Sequence, residues 1–171
     1  VEVYISGTDG YDVILLKGTR LQVGKFEVTT VKDCPAYSTM WTEVKGDLKG
    51  TGVGAVMYDI AVEVATKLGG HLTCDRSSVS NKAKQMWRYY NDSDDYEELQ
   101  MDTQNGYYTP ETSDDCKQLT FHRDTKISRD GDPEVYRDEF MASAFTKAYR
   151  KKLITTIPCL ERDNRYTEIR V

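Results

Sequence analysis

An α/β fold, with a mixed sheet covered by helices, is predicted by three observations. Runs rich in β-branched and aromatic residues open the chain at residues 11–17, 21–28 and 37–44. A pattern with helical period follows at 53–68. A strand-like stretch at 71–74 then separates it from a second helix, so the first helix crosses between two strands of one sheet.

Residues 11–17, followed by Gly18-Thr19 and the largely alternating stretch 21–28, predict a β-hairpin. The turn residues Asp33, Cys34 and Pro35 precede the third strand, 37–44, which ends in a glycine-rich run. Val53, Val56, Met57, Ile60, Val64 and Leu68 recur at three- and four-residue steps, the spacing of one buried helix face, and Gly69-Gly70 supplies a stop. Ser78 to Ser80 offer N-cap hydroxyls for the second helix, which runs to about Tyr90.

Beyond Asn91 the pattern weakens. Residues 92–98 are acidic and predict a solvated loop or a helix start, 102–115 is turn-rich, and 118–122 is a strand candidate. Residues 134–153 show a helical period through Tyr136, Phe140, Ala144 and Ala148. That helix would begin after Pro133 and end in Lys147, Arg150, Lys151 and Lys152, where cations suit the helix dipole. Residues 154–157 and 166–171 are read as edge strands. The chain thus divides into a core, 1–92, and an extension, 93–171, of acidic loop, helix and edge strands packed on it.

With 171 residues, 39% hydrophobic and 30% charged, the chain can bury the core of one domain. A net charge of -5, with no long block of Lys and Arg, argues against nucleic acid as the main partner. Mean hydropathy is -0.62 and no apolar run reaches a membrane-spanning length, so no membrane partner and a soluble protein are expected. Cys34, Cys74, Cys116 and Cys159 form no CxxC pair and have only His71 and His122 to assist them, so no metal is expected. Their even number permits disulfides. The absence of a leading basic-then-apolar stretch favours buried thiols in a reducing, cytoplasmic setting.

One segment carries chemistry: Val44-Lys-Gly-Asp-Leu-Lys49-Gly50-Thr51-Gly52-Val53-Gly54, between a strand and an amphipathic helix. Alternate glycines let the backbone turn sharply and bring consecutive N–H groups toward an anion, beside the positive end of the helix dipole. The segment lacks the Walker A spacing and does not fit the dinucleotide fingerprint. A glycine turn that caps a helix without any ligand is the alternative reading. His122-Arg123-Asp124 lacks the downstream Asn of a kinase loop, and Asp130-Gly131-Asp132 lacks calcium-loop spacing.

These residues resemble the coenzyme A loop of the GCN5-related N-acetyltransferase (GNAT) superfamily, V-x-P-x-x-R-G-x-G-hydrophobic-G. Val44 opens the match, Gly46 stands for the proline and Lys49 for the arginine, and Gly50, Gly52, Val53 and Gly54 follow in register. A helix, a strand and a second helix come next, as in that family; the resemblance covers 11–92, about half of the chain. It implies a GNAT-like mixed, mostly antiparallel sheet flanked by helices. It also implies acetyl-CoA as co-substrate, its pyrophosphate bound by backbone N–H groups of Lys49, Gly50, Thr51, Gly52, Val53 and Gly54. A splayed strand ending near Val44 would hold the pantetheine arm and polarise the acyl carbonyl. In the second helix Ser80 takes the place of the family's Asn, and Trp87 replaces the Tyr that protonates the leaving thiolate.

Tyr89 or Tyr90 is then the candidate general acid and Glu43 the candidate base, although Tyr90 could simply pack and Glu43 simply face solvent. The expected acceptor is an amine-bearing small molecule or a protein lysine. Only about ten residues precede the first predicted strand, where the family places a strand and two helices, so the acceptor side is expected to be open or walled by the 134–153 helix. The alternative is a catalytically inactive protein of this fold used for assembly or protein interaction, such as a bacteriophage virion or host-directed component. Residues 93–171 would then support a homo-oligomer or larger assembly.

Overall fold

The computed structural model describes residues 1–6, 10–15, 19–25, 36–74, 79–103, 116–118 and 142–170. Strands β1 (Glu2–Ser6), β2 (Gly10–Leu15), β3 (Thr19–Lys25) and β4 (Ala36–Glu43) form an antiparallel meander. Helix α1 (Val53–Lys67) crosses to β5 (His71–Thr73), which pairs parallel to β4. Helix α2 (Asn81–Asp92) follows, then β6 (Tyr96–Thr103), β7 (Cys116–Gln118) and β8 (Lys147–Lys151). Helix α3 (Thr156–Arg162) and β9 (Thr167–Arg170) close the described chain. The sheet order is β7-β6-β8-β5-β4-β3-β2-β1-β9, with parallel pairing at β1–β9, β4–β5 and β6–β7. The fold is therefore mixed α/β, as the sequence predicts.

The two long helices lie on one face of the sheet. Tyr149 of β8 meets Trp87 of α2, and Lys151, two residues on and so on the same face, binds Asp59 and Glu63 of α1. Between them, Tyr58 of α1 meets Trp87 edge-on at 5.8 Å. The core gathers Met57, Ile60, Ala61 and Val64 of α1 with Leu72, Trp87, Tyr90, Tyr149 and Ile157. Val56, expected on the buried face, is 42% exposed.

The second half of the chain departs from expectation. Residues 96–98 are not loop or helix but the start of β6, where Tyr96 is buried and the acidic side chains face a basic partner strand. Lys147 Nζ lies 2.7 Å from Glu98, and Arg150 pairs with Glu97. The predicted helix at 134–153 is corrected over its described part. Ala142 is helical, Ala144–Thr146 is one 3-10 turn and Lys147–Lys151 is a strand inserted between β5 and β6, while 134–141 lies outside the described residues. Of the cations read as dipole partners, Lys147, Arg150 and Lys151 instead answer carboxylates on β6 and α1, and Lys152 donates to the Asp94 backbone carbonyl. Residues 156–157, expected in an edge strand, begin α3.

β9 is the edge strand expected near the end of the sequence, pairing with β1. β1 itself was not anticipated, although its buried Val3 and Ile5 alternate with more exposed neighbours. Of the 118–122 candidate, Gln118 ends β7; 119–122, the His122 and Asp130 motifs and 131–141 lie outside the described residues. Cys74 is buried, its thiol donating to the Phe145 carbonyl at 3.6 Å, whereas Cys159 is an exposed thiol rather than a buried one. No helix among the described residues is long and apolar enough to cross a membrane.

Candidate functional site

β4 runs into a 3-10 turn, Gly46–Leu48, and the chain then bends twice before α1. Gly50 has φ +82° and Gly52 φ +87°, left-handed conformations that an L side chain resists. Gly52 is the N-cap of α1 and supplies no side-chain cap. The N–H groups of Leu48, Lys49 and Thr51 close the turn on the carbonyls of Lys45, Gly46 and Leu48. Those of Gly50, Gly52, Val53 and Gly54 have no acceptor among the described residues. A Cβ placed on Gly50 or Gly52 would meet nothing within 4 Å, so it is backbone conformation and not crowding that asks for glycine there. Lys49 is exposed beside them. The arrangement has what anion binding requires: oriented donors, the positive end of a helix dipole and an adjacent cation.

β4 outruns β5. The β4–β5 ladder holds only from Ala36↔His71 to Ser38↔Thr73, while β4 continues to Glu43. At the end of the ladder the hydroxyls of Ser38 and Thr39 donate to the carbonyls of Cys74 and Thr73, at 3.0 and 3.5 Å. A register shift in the β3–β4 pairing leaves Met40 between Thr39, opposite Val23, and Trp41, opposite Gln22, a bulge that increases local twist.

The remaining predicted residues are scattered. Val44 packs below the loop, its Cγ2 3.6 Å from a Cβ built on Gly54. The Thr51 hydroxyl donates to the Leu48 carbonyl at 2.7 Å. Ser80 is the N-cap of α2, its Oγ accepting the Ala83 N–H at 3.3 Å. Glu43 is paired with Lys45 at 2.7 Å. Tyr90 is fully buried, its ring 5.5 Å from Trp87 and 4.5 Å from Tyr96, whereas Tyr89 is half-exposed. Trp87, at the family's Tyr position, is also fully buried, and its Nε1 has no hydrogen-bond partner among the described residues.

Sequence reasoning missed a charged centre between α1 and the end of β8. Asp59 and Glu63, one turn apart on the largely apolar α1, both accept from Lys151 Nζ at 2.8 Å. Glu63 is fully buried and also accepts the N–H groups of Thr155, Thr156 and Ile157. Burial alone would raise its pKa, but the donors from Ile157, Lys151, Thr156 and Thr155 together hold it below the usual carboxylate value. Burial likewise opposes the charge on Lys151, and its bonds to Asp59 and Glu63 outweigh that and raise its pKa. Two acids breaking an apolar helix pattern were the available signal.

Neither a protein-family model nor a curated protein nor a solved structure matches this chain. Among the described residues, no three His, Cys, Asp or Glu side chains gather as a metal site.

Proposed function

We propose that this chain binds acetyl-CoA through the loop at 49–54 and transfers the acetyl group to an amine, as a divergent member of the GNAT superfamily. The observation that supports this reading is the succession of a β4 edge that runs to Glu43, beyond its last described pairing with β5 at Ser38↔Thr73, and a loop whose Gly50, Gly52, Val53 and Gly54 N–H groups have no acceptor among the described residues. The loop offers donors to a diphosphate and β4 a strand edge to an amide-bearing arm. Antiparallel pairing at β1–β2, β2–β3, β3–β4, β5–β8 and β6–β8 suits the mostly antiparallel sheet of that fold.

A second reading, coenzyme binding or an assembly role without turnover, is favoured by the burial of Tyr90 and Trp87 and by the pairing of Glu43 with Lys45. These leave Tyr89 as the accessible phenol on α2. Acetyl-CoA titration with thermal unfolding tests both. At about 100 times its dissociation constant the coenzyme stabilises by about 2.7 kcal/mol, and Gly52→Val abolishes the shift. Thiol release on adding an amine panel supports transfer, and a shift without release supports the second reading. No shift at millimolar coenzyme refutes both coenzyme-binding readings.

A further inference from the structure

A cavity of about 560 Å³ opens between the first turns of α1, the last turns of α2 and the turns that flank β6 and β8. Its size suits a small molecule. None of its described lining residues belongs to β4, β5 or the loop at 49–54, so it is separate from the proposed coenzyme site. Val56, Tyr89 and Leu153 are 42%, 52% and 70% exposed, the large apolar side chains that the described surface shows to solvent, and all three line this one cavity. Such convergence around a concave surface marks a binding site rather than scattered exposure.

Electrostatics restricts the occupant. At the floor, Lys151 is shared by Asp59 and Glu63, so one ammonium faces two carboxylates. At the rim, Asp94 and Asp95 line the opening, and Lys152 donates to the Asp94 backbone carbonyl at 2.7 Å rather than to either carboxylate. The Tyr96 hydroxyl donates to Asp59 at 3.4 Å, and burial first, then the Asp59 charge, raise its pKa and keep it a neutral phenol. In the lining three carboxylates, Asp59, Asp94 and Asp95, thus stand against the ammonium groups of Lys151 and Lys152, with the buried Glu63 behind Lys151, which disfavours phosphates and carboxylates and favours a cation. The exposed Tyr89 ring can also face a cation.

From this convergence of acidic rim, aromatic wall and exposed apolar side chains we propose that the cavity binds a small amphipathic organic cation, an ammonium on an aryl or alkyl body. The cation meets Asp94 and Asp95, and the apolar body meets Val56, Tyr89 and Leu153. This site does not depend on coenzyme binding, and its test contains no coenzyme.

The experiment is a ligand-observed NMR titration of the full chain with phenethylamine, phenethyl alcohol and hydrocinnamate, which share a body and differ in charge. The amine is expected to bind about tenfold more tightly than the alcohol, with hydrocinnamate weakest, and to weaken as salt is raised. Asp94→Asn combined with Asp95→Asn removes the preference for the amine over the alcohol, whereas Leu153→Ser weakens both; these exposed positions leave the thermal unfolding midpoint unchanged. Equal binding of amine and alcohol, an unaltered preference in the double variant, or no binding at about 10 mM amine overturns the proposal.

Discussion

The buried carboxylate of Glu63 accepts the Ile157 backbone N–H at 2.7 Å, joining the middle of α1 to the first turn of α3. It also accepts the N–H groups of Thr155 and Thr156 and the Lys151 ammonium, each at 2.8 Å. The donors that a helix start leaves unsatisfied are thus answered from another helix. Glu63→Ala strands those donors in the interior and leaves Lys151 to Asp59 and Thr155. The expected cost is about 3–5 kcal/mol in urea unfolding, and a loss below about 1 kcal/mol would contradict the coupling.

Acid should weaken the fold in two stages. His71 has its pKa lowered from 6.5 to about 4, by burial first and the Arg150 charge second, with Glu97 opposing. Between those values the unfolded chain takes up a proton that the folded chain refuses, so stability falls as pH drops from 6.5 to about 4. Glu63 is depressed below its ordinary 4.5, so its contribution is full above that value and is lost as pH falls through its folded pKa. Denaturant titrations across pH should show both stages, and His71→Gln should remove the upper one while leaving the lower.

What the sequence revealed, and what it hid, follows the range of the interactions. The hairpin, α1, β5 and α2 were legible through residue 92 because local periodicity and a serine cap specify them. The loop was legible for the same reason, since alternate glycines set backbone angles without help from elsewhere. β8 was hidden because Ala144 and Ala148 also satisfy a helical spacing. The strand is held by its ladders to β5 and β6, by the burial of Ala148 and Tyr149, and by the pairing of Lys147 with Glu98, Arg150 with Glu97 and Lys151 with Asp59. The burial of Tyr90 and the cavity depend on which elements pack together, which no local pattern encodes.

Two glycines of the loop should respond oppositely to alanine. Gly52, at φ +87°, forces a new Cβ into a left-handed conformation, so Gly52→Ala costs roughly 1–2 kcal/mol despite the open space around it. Gly54 lies within α1, where an added Cβ meets Val44 Cγ2 at an ordinary 3.6 Å, so Gly54→Ala gains about 0.5–1 kcal/mol. Thermal unfolding of both variants without ligand measures this. Equal signs would mean that the bend at Gly52 is not held in the folded chain.

Helix α2 is anchored by two independent devices, and a double-variant cycle should separate them. Ser80→Ala removes the oxygen that accepts the Ala83 N–H and costs about 1 kcal/mol. Trp87→Ala empties a site whose ring lies 5.5–6.1 Å from those of Tyr58, Tyr90 and Tyr149, and costs about 3–5 kcal/mol. Seven residues of helix place the two roughly 10 Å apart with no shared partner. Their effects should add to within about 0.5 kcal/mol in urea unfolding. A double variant that loses clearly less than the sum would show that the first turn of α2 is ordered only while Trp87 holds the helix against β8, and that the serine cap acts through that packing.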